Sequence, residues 1–171
     1  MSNVYEGLQD LVAQVPDVLQ PLVVAAAGTI PYVEGEGSAA LGVIAGLHPV
    51  VAGLAGFTGN VVSVLVVVLL GARAREKVLA RRSATAGAAD PVAEPKPRSK
   101  GRRRLERWLV RFGVPGASLL APLALPTQLT AATFVASGAS RQWVMLWQVV
   151  AIAVWTAAVT LAATGMLSVL T

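Results

Sequence analysis

The chain has no cysteine and only one histidine, His48. Disulfides, thiolate metal sites and cysteine nucleophiles are therefore excluded, and one imidazole cannot build a metal cluster. Charge is scarce as well: Asp, Glu, Lys and Arg make up 13 % of the 171 residues, while 55 % are hydrophobic. Mean hydropathy is +0.65, too apolar for an ordinary soluble domain. The chain reads as an all-α integral membrane protein forming one membrane domain over residues 1–171, with no length left over for a soluble catalytic domain. Basic residues are missing from the first 72 positions. A secretory signal needs a basic region ahead of its apolar run, so no cleaved signal is expected at the amino terminus.

Two carboxylates stand out in this apolar background. Glu34 and Glu36 lie in PYVEGEGSAALGVIAG, residues 31–46, with LQPLVVAAAGTI before it. On one continuous spanning helix they would fall at bilayer depth, where an ionised side chain costs roughly 2.5–3.5 kcal/mol on insertion scales. Pro31, Gly35 and Gly37 offer a break instead. Residues 20–47 are read as a re-entrant hairpin with arms over 19–30 and 38–47, each reaching about 15–20 Å at 1.5 Å per residue, short of a hydrocarbon core of about 30 Å. One long kinked span is the alternative. Broken backbone at that depth has to be buried in protein or line a cavity, so the tip needs a partner from elsewhere in the chain.

Around this hairpin the chain divides simply. Residues 3–19 place Val4, Leu8, Leu11, Val12, Val15 and Leu19 at helical spacing and are expected to form an amphipathic surface helix. Residues 50–71 make a full transmembrane span. Its first half is rich in Gly, Ala and Ser, including Ser63, a pattern that lets helices approach closely, and its polar residue Asn60 is suited either to the hairpin tip or to a plain interhelical bond. Residues 72–112 invert the composition: thirteen of the fourteen Lys and Arg lie here with only four acids. They form a basic helical extension, a Pro/Ala/Ser-rich linker, then RRRLERWLVRF, suited to lie on anionic headgroups. The positive-inside rule puts this loop in the cytoplasm. No nucleic-acid partner is expected, because no binding fold accompanies the charge and membrane orientation already accounts for it.

The second half repeats the plan. Residues 113–138 are apolar but interrupted by Pro115, Pro122 and Pro126, with Thr127, Gln128 and Thr130 near the centre; they are read as a second re-entrant hairpin. Arg141 then stays on the cytoplasmic side, and residues 143–170 form the second transmembrane helix, led by Trp143 and Trp147. Hairpin and span in the first half, and the same in the second with opposite orientation, constitute an inverted-topology repeat. Interrupted apolar segments at matching positions point to a transport site at the midplane.

Several of these residues also resemble a known family. Pro31-Tyr32-Val33-Glu34-Gly35-Glu36-Gly37, with Gly42, Gly46 and the pair Gly59-Asn60 beyond, is similar to the P-x-x-E-x-R-G signature region of the small multidrug export family, a branch of the DedA (VTT-domain) superfamily. RFGVPGASLLAPLALPTQLTA resembles that family's second, Pro-rich signature. The resemblance covers most of residues 23–165. It implies two re-entrant hairpins meeting in the membrane and an association with lipid-carrier translocation, proton-dependent transport and drug tolerance. It makes Glu34 the family carboxylate and Pro126 part of the second tip. Two departures are clear: the family's Arg is Glu36 here, and Leu125-Pro126-Thr127-Gln128 stands where the family has a Pro-Gly-Thr-Gly-like tip.

The expected function is that of a small secondary transporter or lipid-carrier flippase in a bacterial-type inner membrane. Its substrate would be a lipid or amphiphilic small molecule, and Glu34 and Glu36 would serve proton coupling: a buried carboxylate with a second one nearby has its charged form disfavoured by desolvation and by like charge. Two residues apart, the pair points to different sides of a helix, and Glu34 is taken as the inward one. Carboxylates that merely cap hairpin-tip N–H groups are the structural alternative. Pro31, Gly35, Gly37, Asn60, Pro126, Thr127, Gln128, Thr130 and Arg141 complete the expected tip and substrate path. The competing class is a non-catalytic scaffold whose basic loop binds anionic lipid or a partner protein. An enzyme is not expected, since Ser118 and Ser137 share no motif with His48, and Thr156, Thr160 and Thr164 read as a helix-packing stripe. No cofactor is expected. The small-residue faces suit the partner hairpin or a second subunit, as in a homodimer, equally well.

Overall fold

A computed structural model describes residues 6, 7, 12, 14–85 and 112–170, the side chains of 82–85 and 170 apart. Of the expected surface helix over 3–19, residues 3–5, 8–11 and 13 fall outside the described residues, while 15–19 form a bend and turn at Pro16 instead of helix; the linker from 86 on and RRRLERWLVRF up to 111 also fall outside them. The described chain is helical, with no strand. Its elements are α1 (Gln20–Ala27), α2 (Glu34–Ile44), α3 (Pro49–Thr85), α4 (Phe112–Leu123), α5 (Thr127–Ser137) and α6 (Arg141–Leu170). The last turn of α4, Ala121–Leu123, is a 3-10 turn.

Proline and glycine set most boundaries. Pro21 lies at the start of α1, Pro49 opens α3, and Pro126 is the N-cap residue of α5, each where a missing N–H costs nothing. Pro115 was expected to interrupt its segment but sits inside the first turns of α4, for the same reason. The single histidine is a cap: His48 Nδ1 accepts the Val50 N–H at 3.3 Å, at the start of α3. The short helices α2 and α5 end alike. Gly46 (φ 97°) and Gly138 (φ 101°) are left-handed, and the next N–H returns to a carbonyl five residues earlier, Leu47 to Gly42 and Ala139 to Phe134. Only glycine takes that conformation without strain.

Two helices, α3 and α6, are long and apolar enough to cross a membrane. They run antiparallel, with Gly53 beside Thr160 near one end and the Glu76–Arg141 ion pair, 3.7 Å, at the other. The span expected over 50–71 and the basic helical extension expected after it are one 37-residue helix: α3 continues through Arg73, Arg75, Lys77 and Arg81, because Arg, Lys, Ala and Leu are all strong helix formers. The other helices, of 8 to 12 residues, are too short to cross.

The first break does not fall where the glycines suggested. α1 ends at Ala27, the turn occupies 28–33, and α2 starts at Glu34, so Gly35, Glu36 and Gly37 are helical. Bulk decides this. A Cβ on Gly35 would stand 2.6 Å from Thr156 Oγ1 and 3.1 Å from the Gly56 carbonyl, so the glycine is needed for close packing against α3 and α6, not for bending. The same principle seats α1, where Gly28 abuts the Gly56 carbonyl and Gly59 lies directly on the Ala25 backbone. The second pair of short helices packs differently, through side chains: Phe134, Val135 and Ala131 of α5 with Ala117 and Ala121 of α4 join Val64 and Val68 of α3 and Val144 and Ile152 of α6 in one buried cluster.

These contacts make glycine substitution diagnostic. Gly59→Ala drives a methyl group into the Ala25 backbone and should destabilise the protein by about 1–3 kcal/mol through overpacking. Gly165→Ala, with nothing within 4 Å, should stay within about 0.5 kcal/mol of the parent. Thermal or denaturant unfolding in detergent reads both; equal behaviour of the two variants contradicts the packing described.

Candidate functional site

Glu34 is the first residue of α2, and its backbone is held at φ 54°, with Tyr32 just before it at φ 70°. Both lie in the left-handed region, which costs a non-glycine residue roughly 1–2 kcal/mol. The strain buys a direction: it aims the Glu34 side chain at the start of α5. There Glu34 Oε1 accepts the backbone N–H of Thr127 at 2.5 Å and the Thr127 hydroxyl at 2.9 Å. The residues are 93 apart in sequence, and both are buried, at 3 % and 1 % exposure. The Thr127 N–H is one of the four at any helix start that lack an intrahelical acceptor, and the helix dipole favours a negative group there.

Asn60, wholly buried on α3, joins the same point. Its Oδ1 stands 3.1 Å from the Thr127 hydroxyl and accepts Gln128 Nε2 at 3.3 Å, while Gln128 Nε2 also donates to Ser63 Oγ at 3.0 Å. The Thr127 hydroxyl has one proton for two acceptors, Glu34 Oε1 and Asn60 Oδ1. Three elements thus meet through one hydroxyl. Among the described residues Asn60 Nδ2 and Gln128 Oε1, both buried, have no hydrogen-bond partner; a buried unpaired polar group costs about 1–3 kcal/mol.

Of the residues expected at the tips, Glu34, Asn60, Thr127 and Gln128 come together, with Gly35 packed beside them and Pro126 preceding Thr127. The rest do not join. Pro31 lies exposed in the turn. Glu36 is half-buried, and Gly37 lies inside α2. Thr130 Oγ1 turns back to the Pro126 carbonyl, 3.0 Å away, serving its own helix. Arg141 is at the far end of the bundle, paired with Glu76 and lining a cavity of about 380 Å³ with Arg75, Gly138 and Gln142; the start of a long helix carried it there, away from the tips.

Sequence reasoning missed two participants. Ser63, three residues after Asn60 and so on the same helical face, was read as a packing residue only. Thr156 was placed in a packing stripe, and for Thr160 and Thr164 that holds, since each donates to the carbonyl four residues earlier, at 2.6 and 2.8 Å. Thr156 Oγ1, however, is buried, unpartnered and set against Gly35. It also lines an apolar groove of about 510 Å³ between α3 and α6, with Gly53, Phe57, Ala153, Thr160 and Leu161. Gln148 of α6, bonded to Ser118 of α4 at 3.4 Å, forms a separate buried polar pair.

Removing the bridging hydroxyl tests this geometry. Thr127→Val should cost about 1–3 kcal/mol of stability, because Glu34 and Asn60 lose a donor while remaining buried, whereas Thr127→Ser should retain most of it. The two variants are compared by unfolding in detergent, and equal losses contradict the assignment. Comparison of the chain with protein-family models, with curated proteins and with solved structures finds no match.

Proposed function

We propose that this protein is a small membrane transporter or lipid-carrier flippase of the small multidrug export type, within the DedA superfamily, and that the contact between Glu34 and the start of α5 is its transport centre. One observation carries the reading: a buried carboxylate closes on the first N–H of a short helix, beside the middle of α6 and the middle of the apolar part of α3 that precedes Arg73. Asn60 is about 16 Å along α3 from Pro49 and about 20 Å before Arg73, and Thr156 is about 22 Å along α6 from Arg141, at 1.5 Å per residue. Broken helices whose ends hold ionisable groups at the midplane are the recurrent construction of secondary transporters, and an ionisable residue at that depth points to function by default.

In this reading α1–α2 and α4–α5 are re-entrant hairpins entering from opposite sides. The supporting pattern is the repeated order: two short helices, a left-handed glycine at Gly46 or Gly138, then a helix of 37 or 30 residues, the two long helices antiparallel. The basic stretch lies in the cytoplasm of a bacterial-type cell. The groove between α3 and α6 reaches Thr156 and so brings an apolar surface to the tips, as an amphiphilic substrate requires. Glu34 carries the proton, and Glu36, in the position of the family's Arg, plays the lesser part.

Two experiments bear on this. In proteoliposomes with an imposed pH gradient, flux of lipid phosphates or amphiphilic drugs should fall at least tenfold with Glu34→Gln while membrane insertion is unchanged, and less with Glu36→Gln; equal flux by parent and Glu34→Gln removes the proton role. For orientation, single cysteines at Val18, His48 and Val169 should react with an impermeant thiol reagent from outside, and those at Lys77 and Ala139 from inside. Labelling of Val18 from inside would make the first pair of short helices a crossing and dissolve the inverted repeat.

A further inference from the structure

We infer that Ser63 sets the direction of a chain of hydrogen bonds running from it through Gln128, Asn60 and Thr127 to Glu34, and that in this direction the closed tips are one proton short, a place filled when Glu34 is the neutral acid. This rests on the reading of that contact as the transport centre and names what governs the proton there. Direction starts from a group that has no choice of role. The Ser63 hydroxyl donates to the Asn60 main-chain carbonyl at 2.9 Å, and a carbonyl can only accept. With its proton committed, Ser63 Oγ turns a lone pair to Gln128, which answers with Nε2 at 3.0 Å. The same Nε2 donates to Asn60 Oδ1 at 3.3 Å, so Asn60 presents an oxygen to the Thr127 hydroxyl, 3.1 Å away. That hydroxyl then gives its proton to Asn60, and Glu34 Oε1, 2.9 Å on its other side, faces a lone pair. A proton on Glu34 Oε1 closes the chain, carboxyl to Thr127 and Thr127 to Asn60, while the Thr127 N–H still reaches the same oxygen.

Ionised Glu34 makes the opposite demand. It draws the Thr127 proton to itself, and the helix start favours its charge. Thr127 Oγ1 and Asn60 Oδ1 then stand 3.1 Å apart as two acceptors with no proton between them. Turning the Asn60 amide over cures this only by setting its Nδ2 against Gln128 Nε2. Gln128 must turn as well, and its Oε1 then needs the Ser63 proton. The whole chain reverses, and the Ser63 bond to the Asn60 carbonyl breaks. Asn60 Nδ2 and Gln128 Oε1 have no partner among the described residues, so no bond there competes with Ser63 for the direction of the amides. The ionisable surroundings are spare. The side chains that α3, α5 and α6 bring to Glu34 and its neighbour Gly35 are Asn60, Thr127 and Thr156; α1 has no ionisable residue, Tyr32 is exposed, and the charged group that acts on Glu34 is Glu36, of α2 itself. Proton uptake and the direction of the chain are thus one event, under opposed demands from the helix start and from Ser63.

The experiment reads the proton directly. Purified full-length protein in lauryl maltoside, a detergent with no carbonyl group, is titrated from acid to alkaline pH while the infrared C=O stretch of neutral carboxyl groups is followed. The part of that band lost in Glu34→Gln belongs to Glu34; it is present below its midpoint and fades as pH rises through it. In Ser63→Ala the direction is no longer imposed, so the Glu34 midpoint should fall by about one pH unit, an about tenfold weaker hold on the proton. Ser63→Thr, which keeps a hydroxyl able to bond the preceding turn, should hold the parent value, and Asn60→Leu, which removes the link, should fall as Ser63→Ala does. Ser38→Ala is the control for simple loosening: it takes a backbone-bonded hydroxyl from α2 one turn beyond Glu34, outside the chain, and should leave the midpoint in place. Should Asn60→Leu fail to fold, Ser63→Ala, at a half-buried position, still decides. An unchanged midpoint in Ser63→Ala, an equal fall in Ser38→Ala, or no band assignable to Glu34 while the protein is folded overturns the inference. Loss of pH-driven flux in Glu34→Gln with an unmoved midpoint in Ser63→Ala overturns the chain and leaves the transport reading standing, whereas the expected fall with no flux in the parent does the reverse.

Discussion

A carboxylate taken out of water needs donors, and a helix that begins inside a protein needs acceptors. In this chain the two requirements meet at one contact. Glu34 receives the N–H and hydroxyl of Thr127, and α5 receives a negative group at its positive end. Either partner alone would be costly at this burial: an uncompensated buried charge destabilises by several kcal/mol, and an orphaned N–H by about 1–3 kcal/mol. The contact joins residues from the two halves of the chain. It ties α2 directly to the start of α5.

Delivering Glu34 to that place requires the rest of the first half. The small helices approach α3 closely at Gly28, Gly35, Gly56 and Gly59, where backbone meets backbone. In lipid, where burying apolar surface brings little, such close packing supplies the attraction. The second half is anchored otherwise, by Phe134, Val64, Val68, Val144 and Ile152 in a cluster of ordinary side chains. A tightly packed unit thus presents the carboxylate, and a side-chain-packed unit presents the donors.

Oversubscription gives the site its chemistry. One Thr127 proton serves two acceptors, while Asn60 Nδ2, Gln128 Oε1 and Thr156 Oγ1 remain unmet. A purely structural cap would be satisfied with less. Buried polar networks that are incompletely paired tend to be completed by something else, a proton, a water molecule or a ligand group, and this one lies beside an apolar groove.

How much of this was legible in the sequence follows from what each feature depends on. The two spans, the two interrupted segments and the importance of Glu34 over its surroundings follow from composition and local order, because hydropathy, proline and a lone buried charge act where they stand. Which part of PYVEGEG bends was not legible: Gly35 has the freedom to turn, but Gly56, twenty-one residues away, and Thr156, more than a hundred away, leave room for no side chain there, and it is helical. Asn60 was visible as an oddity, yet its partners were not, and Ser63 and Thr156 looked like packing residues until another helix stood against them. Arg141 and Thr130 had the right composition for a tip and were taken elsewhere, one by the start of a long helix and the other by its own preceding carbonyl. A side chain's type is local, whereas the atoms it faces are settled only when distant segments pack, and hydrogen bonds of 2.5–3.3 Å are decided at that last step.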